Sequence, residues 1–92
     1  MAKLSEEEIG EELGELEGWE REGEAIVKSF DRGDFVGSVK FVDSLVEPAE
    51  EMNHHPDVGI SWSEVKVTIS THSEGGLTAN DFELAAKVDA LA

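Results

Sequence analysis

Apolar side chains recur at helical spacing in the first part of the chain. After Ser5 they follow one stripe at positions i, i+4 and i+7, occupied by Ile9, Leu13 and Leu16. Ser5 and Glu8 have the spacing of a capping box, in which two side chains satisfy backbone N–H groups at a helix start. The pattern predicts a first helix beginning after Ser5, and Gly18 is expected to end it.

A second and longer stripe predicts a central helix that runs from Asp34 to the residues before Pro56. Its apolar positions are Phe35, Val39, Val42, Leu45, Ala49 and Met52. Pro48 interrupts this stripe, because a proline inside a helix removes one backbone hydrogen bond and clashes with the preceding turn. The sequence therefore predicts either a kink at Pro48 or a second short helical segment starting near Glu47. Pro56 disfavours helical geometry at His55, so the helix must end by that residue.

Strand-like alternation appears on both sides of the central helix. The segment "WEREGEAIVKSF" predicts a hairpin that turns near Glu22 and Gly23. The segments "DVGISW" and "SEVKVTIST" predict a second hairpin whose last strand buries Val65, Val67 and Ile69. Trp62 continues the alternation of Val58 and Ile60, which predicts a place in the core or in a pocket wall. His72 is expected at the end of the last strand, on its polar side.

The last part of the chain predicts another helix and completes the fold. Thr78 and Asp81 repeat the capping-box spacing, and the stripe behind them consists of Leu84, Val88 and Leu91. The element order is α-β-β-α-β-β-α, with no internal repeat and no linker. This order predicts a single α+β domain, residues 1–92, in which three helices cover one face of a four-stranded antiparallel sheet.

Charge excludes several classes of partner. The chain has 22 acidic and 7 basic side chains, a formal net charge of -15, so direct binding to nucleic acid or to an anionic membrane is not expected. No cysteine is present, and no apolar run has the length of a membrane span. We expect a cytoplasmic protein. The acidic excess resembles the proteome of a salt-loving cell, which predicts a halophilic source.

Candidate chemistry is concentrated between Glu50 and Ala85, in "EEMNHHPDVGISWSEVKVTISTHSEGGLTANDFELA". Three residues separate Glu50 from "HHP", five more lead to Trp62, nine to His72 and eight to Asp81. This stretch resembles the signature region of the pterin-4a-carbinolamine dehydratases, whose element order is the one predicted above. The N-terminal half agrees in element order and in the "GW" at Gly18 and Trp19.

The resemblance implies a reaction and the residues that perform it. The family removes water from a 4a-hydroxytetrahydropterin to give the quinonoid dihydropterin, with no metal or organic cofactor. By position, His54 and His72 resemble the family's acid-base pair, and His55 would orient or bind the pterin substrate. The remaining positions implied to bind or surround the substrate are Glu50, Asn53, Pro56, Trp62, Ser70, Thr71 and Asp81.

Each of these assignments has a purely structural alternative. A histidine pair before proline is often a solvated turn, and Asp81 fits the N3 position of a capping box.

A second possible function is a metal-dependent hydrolase. It would use the three histidines and nearby carboxylates as ligands, but the usual helical spacing of such ligands is absent.

The third possible function is a non-enzymatic interaction module. Some animal relatives bind a transcription factor through their central helix, and relatives form tetramers there. A chain of 92 residues with one covered sheet face leaves an edge strand or a helix stripe without cover. We therefore expect a homodimer or homotetramer that covers either an edge strand or the stripe around Val39, Val42 and Val46, and the resemblance favours the stripe.

Overall fold

The computed structural model describes residues 2–92 as helices packed on one antiparallel sheet. In chain order the elements are α1 (Glu6–Gly14), β1 (Glu20–Glu22), β2 (Ala25–Asp31), α2 (Phe35–Ser44), α3 (Val46–Met52), β3 (Asp57–Ser61), β4 (Glu64–Ser70), a 3-10 helix (His72–Glu74) and α4 (Ala79–Leu91). The longest helix, α4, has 13 residues. None of the helices in the described part of the chain is long and apolar enough to cross a membrane.

Four strands form the sheet in the order β1-β2-β4-β3, with every neighbouring pair antiparallel. The predicted inward positions of β4 are fully buried, at Val65, Val67 and Ile69. They pack in one core with Ile26 and Phe30 of β2. The helices contribute further apolar residues to this core, including Ile9, Phe41, Leu84 and Val88. The predicted α+β fold and its element order are confirmed, with the central helix divided into α2 and α3.

Both predicted capping boxes are formed, but α1 is shorter than the sequence pattern predicts. The Ser5 hydroxyl accepts from the Glu8 N–H, and the Glu8 carboxylate accepts from the Ser5 N–H. The helix ends at Gly14, so Gly18 is not its stop; Gly18 adopts φ 83° in the turn before β1. Glycine weakens a helix, and the last turn of α1 carries no basic residue to offset the negative end of the helix dipole.

The central helix breaks before Pro48, as the second of the two sequence-based alternatives requires. Asp34 caps α2 by accepting from the Gly37 N–H at 2.7 Å. Leu45 separates α2 from α3, and Pro48 is the third residue of α3. In the first turn of a helix a backbone N–H has no intrahelical partner, so proline removes nothing there.

Trp62 is not part of the core, and that expectation was wrong. Strand β3 ends at Ser61, which pairs with Glu64, so Trp62 and Ser63 form the two-residue turn between the strands. Trp62 adopts φ 53° and is 72% exposed. The alternation of Val58 and Ile60 predicted that Trp62 would be the next residue of the strand on the same face. The strand instead ends at Ser61, and Trp62 lies in the turn.

Candidate active site

The position of His54 follows from the way α3 ends. Asn53 adopts the left-handed conformation, with φ 50° and ψ 44°, and the His54 N–H donates to the Ala49 carbonyl at 3.0 Å. A left-handed residue followed by this 6→1 hydrogen bond is a Schellman motif, and asparagine tolerates the conformation better than most residues. The motif reverses the chain and brings the His54 ring against α4.

His54 and Asp81 form the most enclosed polar contact of the site. The distance between His54 Nε2 and Asp81 Oδ1 is 2.6 Å, with the side chains 11% and 0% exposed. A carboxylate only accepts hydrogen bonds, so we assign the hydrogen of the ring to Nε2. In the neutral ring this leaves Nδ1 with a lone pair, and the same arrangement fixes the orientation of the imidazole.

The other oxygen of Asp81 is held by two donors. The Thr71 hydroxyl and the Thr78 N–H each donate to Asp81 Oδ2 at 2.8 Å. The Thr71 oxygen also lies 3.0 Å from the Thr78 hydroxyl. Buried carboxylates require such partners, because desolvation without them is costly. Asp81 is thus the N3 capping residue of α4, as the structural alternative predicts, and it also contacts His54; its predicted place around the substrate stays a prediction.

His55 lies on a different surface from its neighbour. Its Nε2 is 2.5 Å from Glu50 Oε2, and the two side chains are 56% and 67% exposed. Both line a shallow apolar cleft of about 190 Å³ between the central helices and β3, together with Val46, Pro56 and Val58. We call this the His55 cleft. Glu50 is the residue that orients the His55 ring.

His72 begins the 3-10 helix that follows β4, instead of ending the strand as predicted. Its Nε2 is 3.2 Å from the Ser70 hydroxyl. Both residues line a cavity of about 340 Å³ whose other walls include Glu24, Thr71, Gly75 and Gly76. We call this the His72 cavity. Its volume is at the lower end of the range for small-molecule sites, roughly 300–1,000 Å³.

Thr71 connects the His72 cavity with the buried polar cluster. Its side chain lines the cavity, donates to Asp81 and lies 3.5 Å from His54 Nε2. His54 is followed directly by His55, which faces the His55 cleft. The three histidines are therefore neighbours around one region but do not line a single cavity in the isolated chain.

Two of the residues expected around the substrate have other positions. Trp62 follows the last residue of β3, whereas the histidine pair precedes the first, so the structure does not bring Trp62 to the histidines. Asn53 contributes its left-handed backbone, and its side chain is exposed. Pro56, by contrast, lines the His55 cleft.

Sequence reasoning missed Glu24. It lies in the two-residue turn between β1 and β2, since Glu22 pairs with Ala25, and it lines the His72 cavity. Ala25 pairs with Ser70, which places this turn beside the end of β4. The pairing of two distant strands could not be read from local spacing, although Gly23 did indicate the turn.

Another groove in the described chain lacks residues suited to acid-base catalysis near neutral pH. A groove of about 340 Å³ between α1 and α4 is lined by apolar side chains and by Glu12, Glu15 and Glu83. It has no imidazole in its walls. Within residues 2–92, no group of three or more His, Asp or Glu side chains is arranged to hold a metal ion.

Comparison with known proteins gives a family match over nearly the whole chain. The family described as pterin 4 alpha carbinolamine dehydratase matches residues 2–91. A relative from Sulfolobus acidocaldarius is 47% identical over 87 residues, covering 95% of this chain and 96% of the relative. One from Roseiflexus castenholzii is 46% identical over 88 residues, covering 96% and 95%. Both relatives carry provisional names as pterin-4-alpha-carbinolamine dehydratases.

Two solved structures share the fold. A crystal structure from Brucella melitensis, described as a transcriptional coactivator/pterin dehydratase, has a TM-score of 0.93 at 38% identity and covers 98% of each chain. A pterin dehydratase-like protein described as a RuBisCO assembly factor of the alpha-carboxysome has a TM-score of 0.66 at 27% identity, covering 80% of this chain and 86% of its own. By its sequence match, its relatives and its fold, this chain belongs to the pterin 4 alpha carbinolamine dehydratase family.

Proposed function

We propose that this protein is a hydro-lyase that converts a 4a-hydroxytetrahydropterin into the quinonoid dihydropterin and water. In this elimination the bond between ring carbon C4a and the hydroxyl oxygen breaks, and the hydroxyl accepts a proton to leave as water. The neighbouring ring nitrogen N5 loses its proton, and its electron pair forms the new double bond to C4a. The reaction consumes no net proton and requires no oxidant.

The observation that carries this proposal is the enclosed contact between His54 and Asp81. A ring held at Nε2 by a buried carboxylate has a fixed orientation, and its Nδ1 is the atom left to exchange a proton with a substrate. Imidazole suits proton transfer near neutral pH, because its ordinary pKa is about 6.5. A positioned acid or base typically accelerates such a step by about 10²- to 10⁴-fold.

We assign His54 and His72 to the two proton transfers, and His55 to substrate positioning. His72 supports this division because it lines the larger cavity and lies beside Thr71, which contacts Asp81. His55 and Glu50 lie at the edge of the apolar His55 cleft, where they could bind polar atoms of the pterin. Ser70 and Thr71 would supply further hydrogen bonds from the cavity wall.

A direct assay tests the proposal. A 4a-hydroxytetrahydropterin would be generated in situ, and its ultraviolet decay followed with and without the protein. Acceleration above the spontaneous rate is expected, and it should persist in protein treated with a chelator, since no cofactor is assigned. A decay rate that the protein leaves unchanged would refute the dehydratase assignment.

A second function is favoured by the exposed apolar face of α2. Phe35, Val36 and Val39 are 56%, 59% and 44% exposed, and Val46 of α3 is 56% exposed. Isolated apolar residues are ordinary on surfaces, but a continuous face often marks an interaction site. We propose that this face mediates self-association into a homodimer or homotetramer, alongside the dehydratase reaction. The cytoplasmic location and the halophilic source stay predictions from the sequence.

A further inference from the structure

Glu24 is a carboxylate in the His72 cavity that the proposed acid-base scheme does not use. It lies in the β1–β2 turn on the wall shared with Ser70, Thr71 and His72. Arg21, the nearest basic residue in sequence, directs its guanidinium to Glu6 and to the Gly23 carbonyl. The hydrogen bond with Glu6 and, to a smaller extent, the charge of Glu24 raise the pKa of Arg21, so Arg21 is a nearby positive charge. Among residues 2–92, no hydrogen bond or ion pair engages the Glu24 carboxylate, which leaves its oxygens able to accept from a ligand.

The Glu24 carboxylate lies beside Gly76 and the side chain of Lys3. A Cβ atom added to Gly76 would lie 2.9 Å from Glu24 Oε2 and 2.5 Å from Lys3 Cδ. Both distances are too short for ordinary contact, so the absence of a side chain at Gly76 leaves the room in which Glu24 lies. Gly76 is itself buried. Glu24 is itself exposed, so its carboxylate lies at the open edge of the cavity, where a ligand could reach it.

A carboxylate in this position suits one edge of a pterin. The pyrimidinone ring presents two adjacent donors, the N3–H and the 2-amino group, and a carboxylate can accept from both in parallel. His72 and Thr71 lie on the same cavity wall, where they would face the part of the ring that reacts. We propose that Glu24 is a specificity residue that recognises the 2-amino-4-oxo edge of the substrate. This inference rests on the proposed dehydratase function.

The test uses two stable rings that differ at one position. 6-Methyl-7,8-dihydropterin carries the 2-amino donor, whereas 6-methyl-7,8-dihydrolumazine carries a 2-oxo acceptor, which a carboxylate repels. The wild-type protein should bind the dihydropterin about tenfold more tightly than the dihydrolumazine, the difference expected from one charge-assisted hydrogen bond. Calorimetry would give both dissociation constants.

Glu24→Gln is the informative variant, because glutamine replaces one acceptor by an amide donor. Its affinity for the dihydropterin should fall about tenfold, its affinity for the dihydrolumazine should rise, and the preference should approach one. In the dehydration assay KM should rise while kcat stays within about twofold, as expected for lost ground-state binding. Glu22→Gln is the matched control, since it removes the same charge from the same hairpin outside the cavity; its values should equal those of the wild type.

The possible failures are distinguishable. A wild-type protein that accelerates dehydration, paired with a Glu24→Gln variant that keeps the wild-type preference, would overturn the role of Glu24 alone. Equal loss of preference in Glu22→Gln would also overturn it, since the effect would then belong to net charge. A wild-type protein that neither binds the dihydropterin nor accelerates dehydration would overturn the proposed function and this role together.

Discussion

The two oxygens of the Asp81 carboxylate make contacts that place different demands on it. One oxygen contacts His54, and the other accepts from Thr71 and from the Thr78 N–H. The capping contact needs only an acceptor, whereas the contact with His54 also needs the negative charge that stabilises an imidazolium. Substitutions at Asp81 can therefore separate the stability of α4 from the chemistry of His54.

We predict that Asp81→Asn lowers both stability and dehydration activity. The amide oxygen can keep one donor, but the amide nitrogen would face His54 Nε2 or Thr71, which costs about 1–3 kcal/mol of unfolding free energy in a buried site. If the amide N–H faces Nε2, His54 must adopt its other tautomer, with the hydrogen on Nδ1. The kcat should then fall by about tenfold or more. Urea unfolding and the dehydration assay measure the two effects.

Ser5→Ala is the control for the capping contribution. It removes the equivalent cap of α1 at a distance from the histidines, and should cost about 1 kcal/mol of unfolding free energy without changing kcat. Full activity in Asp81→Asn would contradict the role assigned to the His54–Asp81 contact.

We predict that the three histidines divide into two kinetic classes. His54→Ala and His72→Ala should each lower kcat by about one to three decades, the range for losing one general acid or base. His55→Ala should mainly raise KM, because His55 is assigned to positioning. Steady-state kinetics on the three variants measure this, and wild-type kcat and KM in all of them would exclude histidine acid-base catalysis.

At the residue scale, the sequence indicated which residues are candidates for the site, but not which residues they contact. The spacing of Glu50, the histidine pair, His72 and Asp81 selected a set that the fold brings into one region. It could not reveal that Asp81 contacts His54, because that contact joins α4 to the end of α3 through the tertiary fold. Trp62 was misplaced because strand alternation carries no information about where the chain turns.

At the element scale, α1 contains two carboxyl groups whose pKa is lowered, those of Glu6 and Glu8. The hydrogen bond and charge of Arg21 lower the pKa of Glu6 below its ordinary 4.5, and hydrogen bonds with Ser5 lower that of Glu8. A carboxyl whose pKa is lower in the folded state stabilises the fold above its unfolded pKa. This stabilisation disappears as the pH falls through the folded value.

We therefore predict a pH-dependent difference between two isosteric variants. Glu6→Gln should have a lower thermal midpoint than Glu7→Gln at pH 7, because only Glu6 is paired with Arg21. The difference should shrink as the pH falls through the lowered pKa of Glu6 and vanish below it, because the stabilisation by the Glu6 carboxylate is lost once that carboxyl is protonated. Glu7→Gln removes the same charge from the same turn, so it corrects for general repulsion. A difference that is constant with pH would contradict the pairing.

We predict that the exposed face of α2 controls self-association. Val39→Glu should convert an oligomer into a monomer, since it places a charge on the proposed apolar interface. Lys40→Glu, at the neighbouring exposed position, is the control and should leave the oligomer intact. Light scattering in molar salt measures the mass. A monomeric wild-type protein at high concentration would contradict the interface.

Elements were predicted from sequence where their signals are local. Both capping boxes, the hairpin turn at Gly23 and the interruption by Pro48 each depend on a few neighbouring residues, and all of them are found in the structure. The end of α1 was misjudged because Leu16 continues the apolar spacing after the helix has stopped. Leu16 packs against the core from the following turn, where apolar spacing no longer requires helical geometry.

At the scale of the whole molecule, the net charge of -15 is the dominant feature. Repulsion is concentrated on α1 and the turn that follows it, in Glu6, Glu7, Glu8, Glu11, Glu12, Glu15 and Glu17. Salt screens such charges over a Debye length of ~10 Å at 0.1 M and ~3 Å at 1 M. Only molar salt therefore limits the repulsion from each carboxylate to its nearest neighbours.

We predict that stability and oligomer size rise together as potassium chloride increases from about 0.1 M to 2 M, because screening removes repulsion within and between chains. Thermal unfolding and light scattering across this range measure both. Sodium sulfate matched for salting-out strength would separate that general effect from screening. A thermal midpoint that is flat or falls with potassium chloride would reject the halophilic prediction and leave the dehydratase proposal unaffected.

The left-handed turn at Asn53 limits how related sequences can diverge. It sends His54 toward Asp81 and leaves His55 beside Glu50, so two adjacent residues serve opposite sides of the site. A residue gained or lost between α3 and β3 would change where the two rings point, whereas replacements that keep the left-handed conformation at position 53 would not. The length of this connector should therefore be under stronger selection than most of its side chains. A homologue with an insertion there should have lost the reaction, even if all three histidines remain.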